Sequence, residues 1–139
     1  MLRLVIDTNV LISSFFGGNP KKIIDLWRNG KAVLCITEEI LEEYLRVMAR
    51  LPISKESKDR LVAILQEKRN LELVNPSQHF SVVREDPEDN KFIDCAVEAQ
   101  ADYIISGDAH LLNVKAYRGI TIYSPKDFGR LLTTSEKGK

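Results

Sequence analysis

Only two of the 139 residues are cysteine and only two are histidine. Cys35 and Cys95 each stand inside an apolar stretch, with no second cysteine or histidine at ligand spacing. That pattern excludes a zinc knuckle and a disulfide scaffold, and it reads as two buried, reduced thiols of an intracellular protein. His79 and His110 are the only imidazoles, no HExxH motif exists, and no Ser-His-Asp order is present. Walker loops, GxGxxG and GxSxG are missing as well. No run approaches the roughly 20 apolar residues of a membrane helix. The apolar start stops at Asp7, too early for a signal peptide, so a cytoplasmic protein without membrane contact is expected. Excess charge of either sign is also absent: Lys+Arg and Asp+Glu number 20 each. A sequence-blind basic coat for nucleic acid is therefore excluded, although a local basic groove is not.

What remains is 44% hydrophobic and 29% charged, enough for a real core in one domain. The expected domain spans 1–132, followed by a polar, flexible tail over 133–139. Leu4-Val5-Ile6, Ala32 to Ile36, Tyr103 to Ser106 and Ile120 to Tyr123 are short, continuous apolar runs of the kind that form strands buried on both faces. Between them lie helical segments: Val10 to Phe16, Lys21 to Arg28 after the break at Gly17–Pro20, Thr37 to about Arg50, and one capped by Ser54 or Ser57. Leu71 to Val74 and Ser81 to Val83 read as weaker extended pieces. Asp86 to Asn90 is a turn feeding a helix through about Ala99, Leu111 begins a short helical turn, and Lys126 to Leu132 is a terminal helix. This alternation predicts a three-layer α/β/α sandwich around a mostly parallel sheet of about five strands.

Open parallel sheets bind ligands beyond the carboxyl ends of their strands. Two of the clearest strands run into an acid there, Ile6 into Asp7 and Ser106-Gly107 into Asp108. Either aspartate alone reads equally well as a helix N-cap; two at one sheet edge point toward a site. At about 100° per residue, Asp89 falls within roughly 40° of Ile93 and Ala96, on the core-facing stripe where an unpaired carboxylate is costly. A place in the first turn, favoured by the helix dipole, is the competing reading for Asp89. In the helix after Thr37, Glu42 and Glu43 border opposite edges of the apolar arc, and geometry does not choose between them. Clustered carboxylates raise one another's pKa, so a positive partner is required. Mg²⁺ or Mn²⁺ suits all-oxygen ligation and metal-assisted phosphoryl chemistry.

Four stretches, in order, resemble PIN-domain ribonucleases: Val5-Ile6-Asp7-Thr8-Asn9-Val10, Thr37 through Tyr44, Asp86-Pro87-Glu88-Asp89-Asn90-Lys91-Phe92-Ile93, and Ala101 through Asp108. The resemblance runs from about Leu2 to Phe128. Its nearest branch is the small prokaryotic proteins described as toxins of toxin–antitoxin systems. It implies an α/β/α fold, one or two Mg²⁺ or Mn²⁺ ions, RNA cleavage (taken as endonucleolytic), a homodimer and a small antitoxin partner. By position it implies Asp7, Glu43, Asp89 and Asp108 as the catalytic acids, with Asp7, Asp89 and Asp108 on the metal. It implies Asn9 and Ser106 in support, and Asp86 and Asp94 as groups near the metal. Arg84, Lys91 and His110, close in sequence to these acids, are the candidate RNA contacts. Two rival readings stand beside it. A haloacid-dehalogenase-like phosphatase would want an acid where this chain has Asn9, and a catalytically silent RNA- or protein-binding module would not need four acids.

Overall fold

The computed structural model describes residues 1–137. They form strands β1 (Leu2–Ile6), β2 (Ala32–Ile36), β3 (Leu71–Leu73), β4 (Tyr103–Ile105), β5 (Ala116–Tyr117) and β6 (Ile120–Tyr123). The helices are α1 (Thr8–Ser13), α2 (Gly18–Arg28), α3 (Glu38–Ala49), α4 (Lys55–Gln66), α5 (Asn90–Ala99), α6 (Ala109–Leu112) and α7 (Pro125–Lys137). The strands make one sheet in the order β3-β2-β1-β4-β6-β5, parallel except for β5.

Register explains the layers. Leu4 pairs with Tyr103 and Tyr103 with Thr121, while Ile6, Ile105 and Tyr123 align one step further on. Aligned residues share a face and successive residues alternate. The face bearing Tyr103 and Tyr123 packs on Phe128 of α7, with ring centroids 5.5 and 6.2 Å away. Val5 and Arg3 belong to the other face, where the Arg3 guanidinium donates to the Ala99 carbonyl at the end of α5. Helices α7 and α5 thus cover opposite sides of the sheet, giving an α/β/α sandwich. At Gly129 helix α7 meets the start of α2: an added Cβ would lie 2.8 Å from Asn19 Oδ1.

Several boundaries differ from the sequence expectation, each for a local reason. The sheet has a sixth strand, because two-residue β5 folds back on β6 through Arg118 and Gly119, both at positive φ (49° and 81°) as a tight hairpin requires. Two residues are too few to show alternation. Helix α2 begins before Pro20, which sits in the first turn where no intrahelical N–H is needed. The expected tail from Thr133 is helical through Lys137, since neither glycine nor proline interrupts it before Gly138; Gly138 and Lys139 lie outside the described residues. Among the described residues no helix is long and apolar enough to cross a membrane.

Ser81 to Val83 is not a strand. The whole segment from Ser77 to Val83 is a strap laid along α5, and its backbone N–H groups go to side chains of that helix. Glu98 accepts from Ser77 at 2.7 Å and Asp94 from Phe80 at 2.7 Å. Asn90 Oδ1 accepts from Val82 and Val83 at 3.0 and 2.8 Å, and its amide returns a bond to the Val83 carbonyl. Residues 90, 94 and 98 recur every four positions, so they line one face of the helix. Arg118 lies over the Phe80 ring, 4.7 Å from its centroid, and pins the strap from outside. The strap ends by delivering Asp86. Asn90→Ala removes three bonds to it and is expected to cost about 1–3 kcal/mol. Urea unfolding together with hydrogen exchange checks this: Val82 and Val83 amides should lose protection first, and unchanged protection would contradict the tether.

Candidate active site

Strands β1 and β4 lie side by side, with β2 on the far side of β1, so the strand order reverses between them. Such a switch point opens a crevice at the carboxyl edge. Asp7 leaves β1 there, its N–H still bonded to the Ile105 carbonyl at 3.0 Å. Its Oδ1 caps α1 by accepting from Val10 N–H at 2.9 Å, and its Oδ2 accepts from the Ser106 hydroxyl. Ser106 Oγ in turn accepts from Asp108 N–H at 3.0 Å. Asp108 caps α6, taking His110 N–H at 2.7 Å. The cap reading therefore holds for both aspartates. Each is oriented by the helix it caps, and each lines one cleft of about 200 Å³ with Thr8, Asn9, Glu43, Val47, Asp86, Asp89 and Phe92.

Asp89 is different. It precedes α5 yet makes no capping bond, and its Oδ2 is buried without any hydrogen-bond partner. Carboxylate oxygens of Asp86, Asp89 and Asp108 all lie within 4.8 Å of one another, the one such acidic group among the described residues. An orphaned oxygen inside an all-oxygen donor set fits a hard divalent cation. A larger hollow of about 400 Å³, lined by Thr37, Pro76, His79 and Asp94 among others, gathers no comparable group.

Glu43, not the exposed Glu42, faces the cleft. The buried Tyr44 hydroxyl donates to the Ile6 carbonyl, which anchors α3 at the end of β1 and brings Glu43 beside Thr8. Glu43 Oε2 accepts from the Thr8 hydroxyl, and Oε1 lies 2.8 Å from Lys91 Nζ. The cleft thus collects Asp7, Asn9, Glu43, Asp86, Asp89 and Asp108, with Ser106 behind Asp7. Arg84 and His110 are exposed and do not line it.

Two expectations are corrected. Asp94 is not near the cluster: one helical turn beyond Asn90, it faces the strap and holds Phe80 and His79. Lys91 is not a surface contact for RNA. Its side chain is only 7% exposed and its ammonium is committed to Glu43. Sequence reasoning missed both this pair and Thr8. The signal was available in α5, where Lys91 sits among residues whose apolar character wraps more than one face.

Electrostatics follow from crowding. Burial, and then the Asp108 carboxyl beside it, push Asp89 up to about 7. The Asp89 carboxyl in turn holds Asp108 below its ordinary value, so a proton favours Asp89 while Asp108 is ionised. Burial also raises Asp7, against the bonds from Ser106 and Val10. For Glu43 burial works upward, but Lys91 and Thr8 outweigh it and the carboxylate stays ionised.

A PIN domain model matches residues 3–110, most of the chain and all of these acids. The chain belongs to the PIN-domain family. PIN domains are generally nucleases. Among curated relatives, the uncharacterized protein MJ1680 of Methanocaldococcus jannaschii is 35% identical over 119 residues, 82% of this chain and 76% of its own length. The crystal structure of VapBC2 from Rickettsia felis bound to a DNA fragment from their promoter contains a chain of the same fold. Its TM-score is 0.57 at 13% identity, covering 88% of this chain and 98% of that one.

The raised Asp89 value has a stability consequence. Unfolded, this group titrates near 3.8; folded, near 7. The folded chain holds the proton more tightly, so the contribution is complete below about pH 4 and is lost as pH rises through about 7. Discounted for solvent access, Asp89→Asn should relieve ~1 kcal/mol at pH 8 without divalent ions, raising Tm by roughly 2–4 °C. The gain should shrink at pH 5. A Tm that falls, or a gain independent of pH, would contradict the crowding.

Proposed function

We propose that this PIN domain is an endoribonuclease that hydrolyses RNA phosphodiester bonds with Mg²⁺ or Mn²⁺. The observation that carries the reading is the partnerless Asp89 oxygen inside the Asp86, Asp89 and Asp108 group. These three residues would hold the cation. Asp7, joined to Asp108 through Ser106, keeps that acid in place. When bound, the ion supplies Lewis-acid stabilisation of charge growing on the phosphate oxygens. Glu43, ionised and fixed at both oxygens, orients the attacking water by accepting a hydrogen bond from it. Attack forms the new P–O bond as the bond to the leaving sugar oxygen breaks; the water's proton is lost to solvent, and the leaving oxygen takes a proton from solvent to become a hydroxyl.

Arg84 and His110, exposed and close in sequence to Asp86 and Asp108, are the proposed contacts to the RNA backbone. With zero net charge behind them, binding is expected to be weak and salt-sensitive. The VapBC2 likeness supports a second element of the reading, a small antitoxin partner that covers the cleft.

The test is cleavage of matched single-stranded RNA and DNA by purified protein with Mn²⁺. RNA should be cut internally, EDTA should abolish cutting, and Asp108→Asn should slow it by roughly 100-fold or more. A folded wild-type protein that binds RNA but never cuts it would favour the silent binding module instead.

A further inference from the structure

One acid of the cleft, Glu43, already has a cation as its partner, supplied by the chain from the side of the neighbouring larger hollow that Lys91 lines. Lys91 carries its ammonium into the protein at 7% side-chain exposure, 2.8 Å from Glu43 Oε1. Burying an ammonium is costly unless it is paired and hydrogen-bonded. Its other acidic neighbour, Glu88, is 3.7 Å away and exposed, a weak partner by comparison. The ring of Phe92, which lines the cleft, lies under the ammonium at 5.3 Å. This is a cation–π contact that adds to the pairing. Glu43 is equally committed: Thr8 occupies the oxygen that Lys91 leaves free. The compact acidic group is Asp86, Asp89 and Asp108, and Glu43 is outside it.

We propose that Lys91 is the second cation of this site: its ammonium takes the place at Glu43 that a second metal ion would need, so the cleft holds one divalent ion and Glu43 is not a ligand. This rests on the cation-binding reading above and deepens it. Paired-metal hydrolases place their ions roughly 3.5–4 Å apart with shared carboxylates. Here an ion on Glu43 Oε1 would face a buried ammonium on the same oxygen, and like charges at such range repel strongly where water is scarce. Lys91 also serves as a positioning residue: it fixes the carboxylate that meets the attacking water without touching the phosphate itself.

Mn²⁺ binding to the full chain, counted by calorimetry and by electron paramagnetic resonance, decides the matter without any activity readout. Wild-type protein should bind one ion per chain. Lys91→Met, which keeps length and removes charge, should admit a second, weaker ion. Glu43→Gln, with Lys91 in place, should still bind one, its Kd changed by no more than about threefold, as for loss of a neighbouring charge that is not a ligand. Two ions on the wild type, loss of the ion in Glu43→Gln, or a folded Lys91→Met that stays at one ion would each overturn the proposal. If Lys91→Met does not fold, the counts for wild type and Glu43→Gln still decide. Absence of any binding by the wild type would be a different failure, removing the cation-binding reading itself.

Discussion

Mutual repulsion among carboxylates crowded at one sheet edge is the constraint on which this structure turns. Three aspartates, drawn from the end of a strap, the start of α5 and the end of β4, bring oxygens within 4.8 Å. A fold selected for stability alone would separate them or pair them with arginine. Instead the crowding is met by protonation, with Asp89 pushed up and Asp108 held down, while the flanking acids have partners of their own: a buried ammonium and the Thr8 hydroxyl on Glu43, and the Ser106 hydroxyl on Asp7. Among the described residues, the buried side-chain oxygen left without a hydrogen-bond partner belongs to Asp89, a member of this group.

The remaining architecture keeps those acids from relaxing apart. Parallel pairing of β1 with β4 sets Asp7 next to Ser106, and the two capped helices orient Asp7 and Asp108. Tyr44 fastens α3 to the last residue of β1. On the outer side, the strap tied to Asn90, Asp94 and Glu98 carries Asp86 inward. Each tether is a hydrogen bond from a rigid element, so strain at the edge is resisted by the packed core rather than by flexible loops.

The strands and most helices were legible because apolar runs buried on both faces leave a plain trace in sequence. Asp7 and Asp108 were legible for the same reason, since each directly follows such a run. Helical phase put Asp89 on the core-facing stripe but left a first-turn reading beside it, and the family resemblance chose between them. The choice of Glu43 over Glu42 needed the family resemblance, as both border the apolar arc. The strap was opaque: its N–H groups bond to side chains of a helix that comes later in the chain, a long-range arrangement with no periodicity of its own. That gap also explains the misplacement of Asp94 and Lys91. Asp94 is buried under the strap and Lys91 against Glu43 of α3, so two positions of α5 that look solvent-facing are covered by segments distant in sequence.

A crystal of the protein soaked in Mn²⁺, with anomalous diffraction collected near the manganese edge, tests the central claim most directly. The account predicts one anomalous peak bounded by Asp86, Asp89 and Asp108, with Lys91 still on Glu43. A cleft without manganese in which the three carboxylates have swung apart, or have taken arginine or lysine partners, would contradict it.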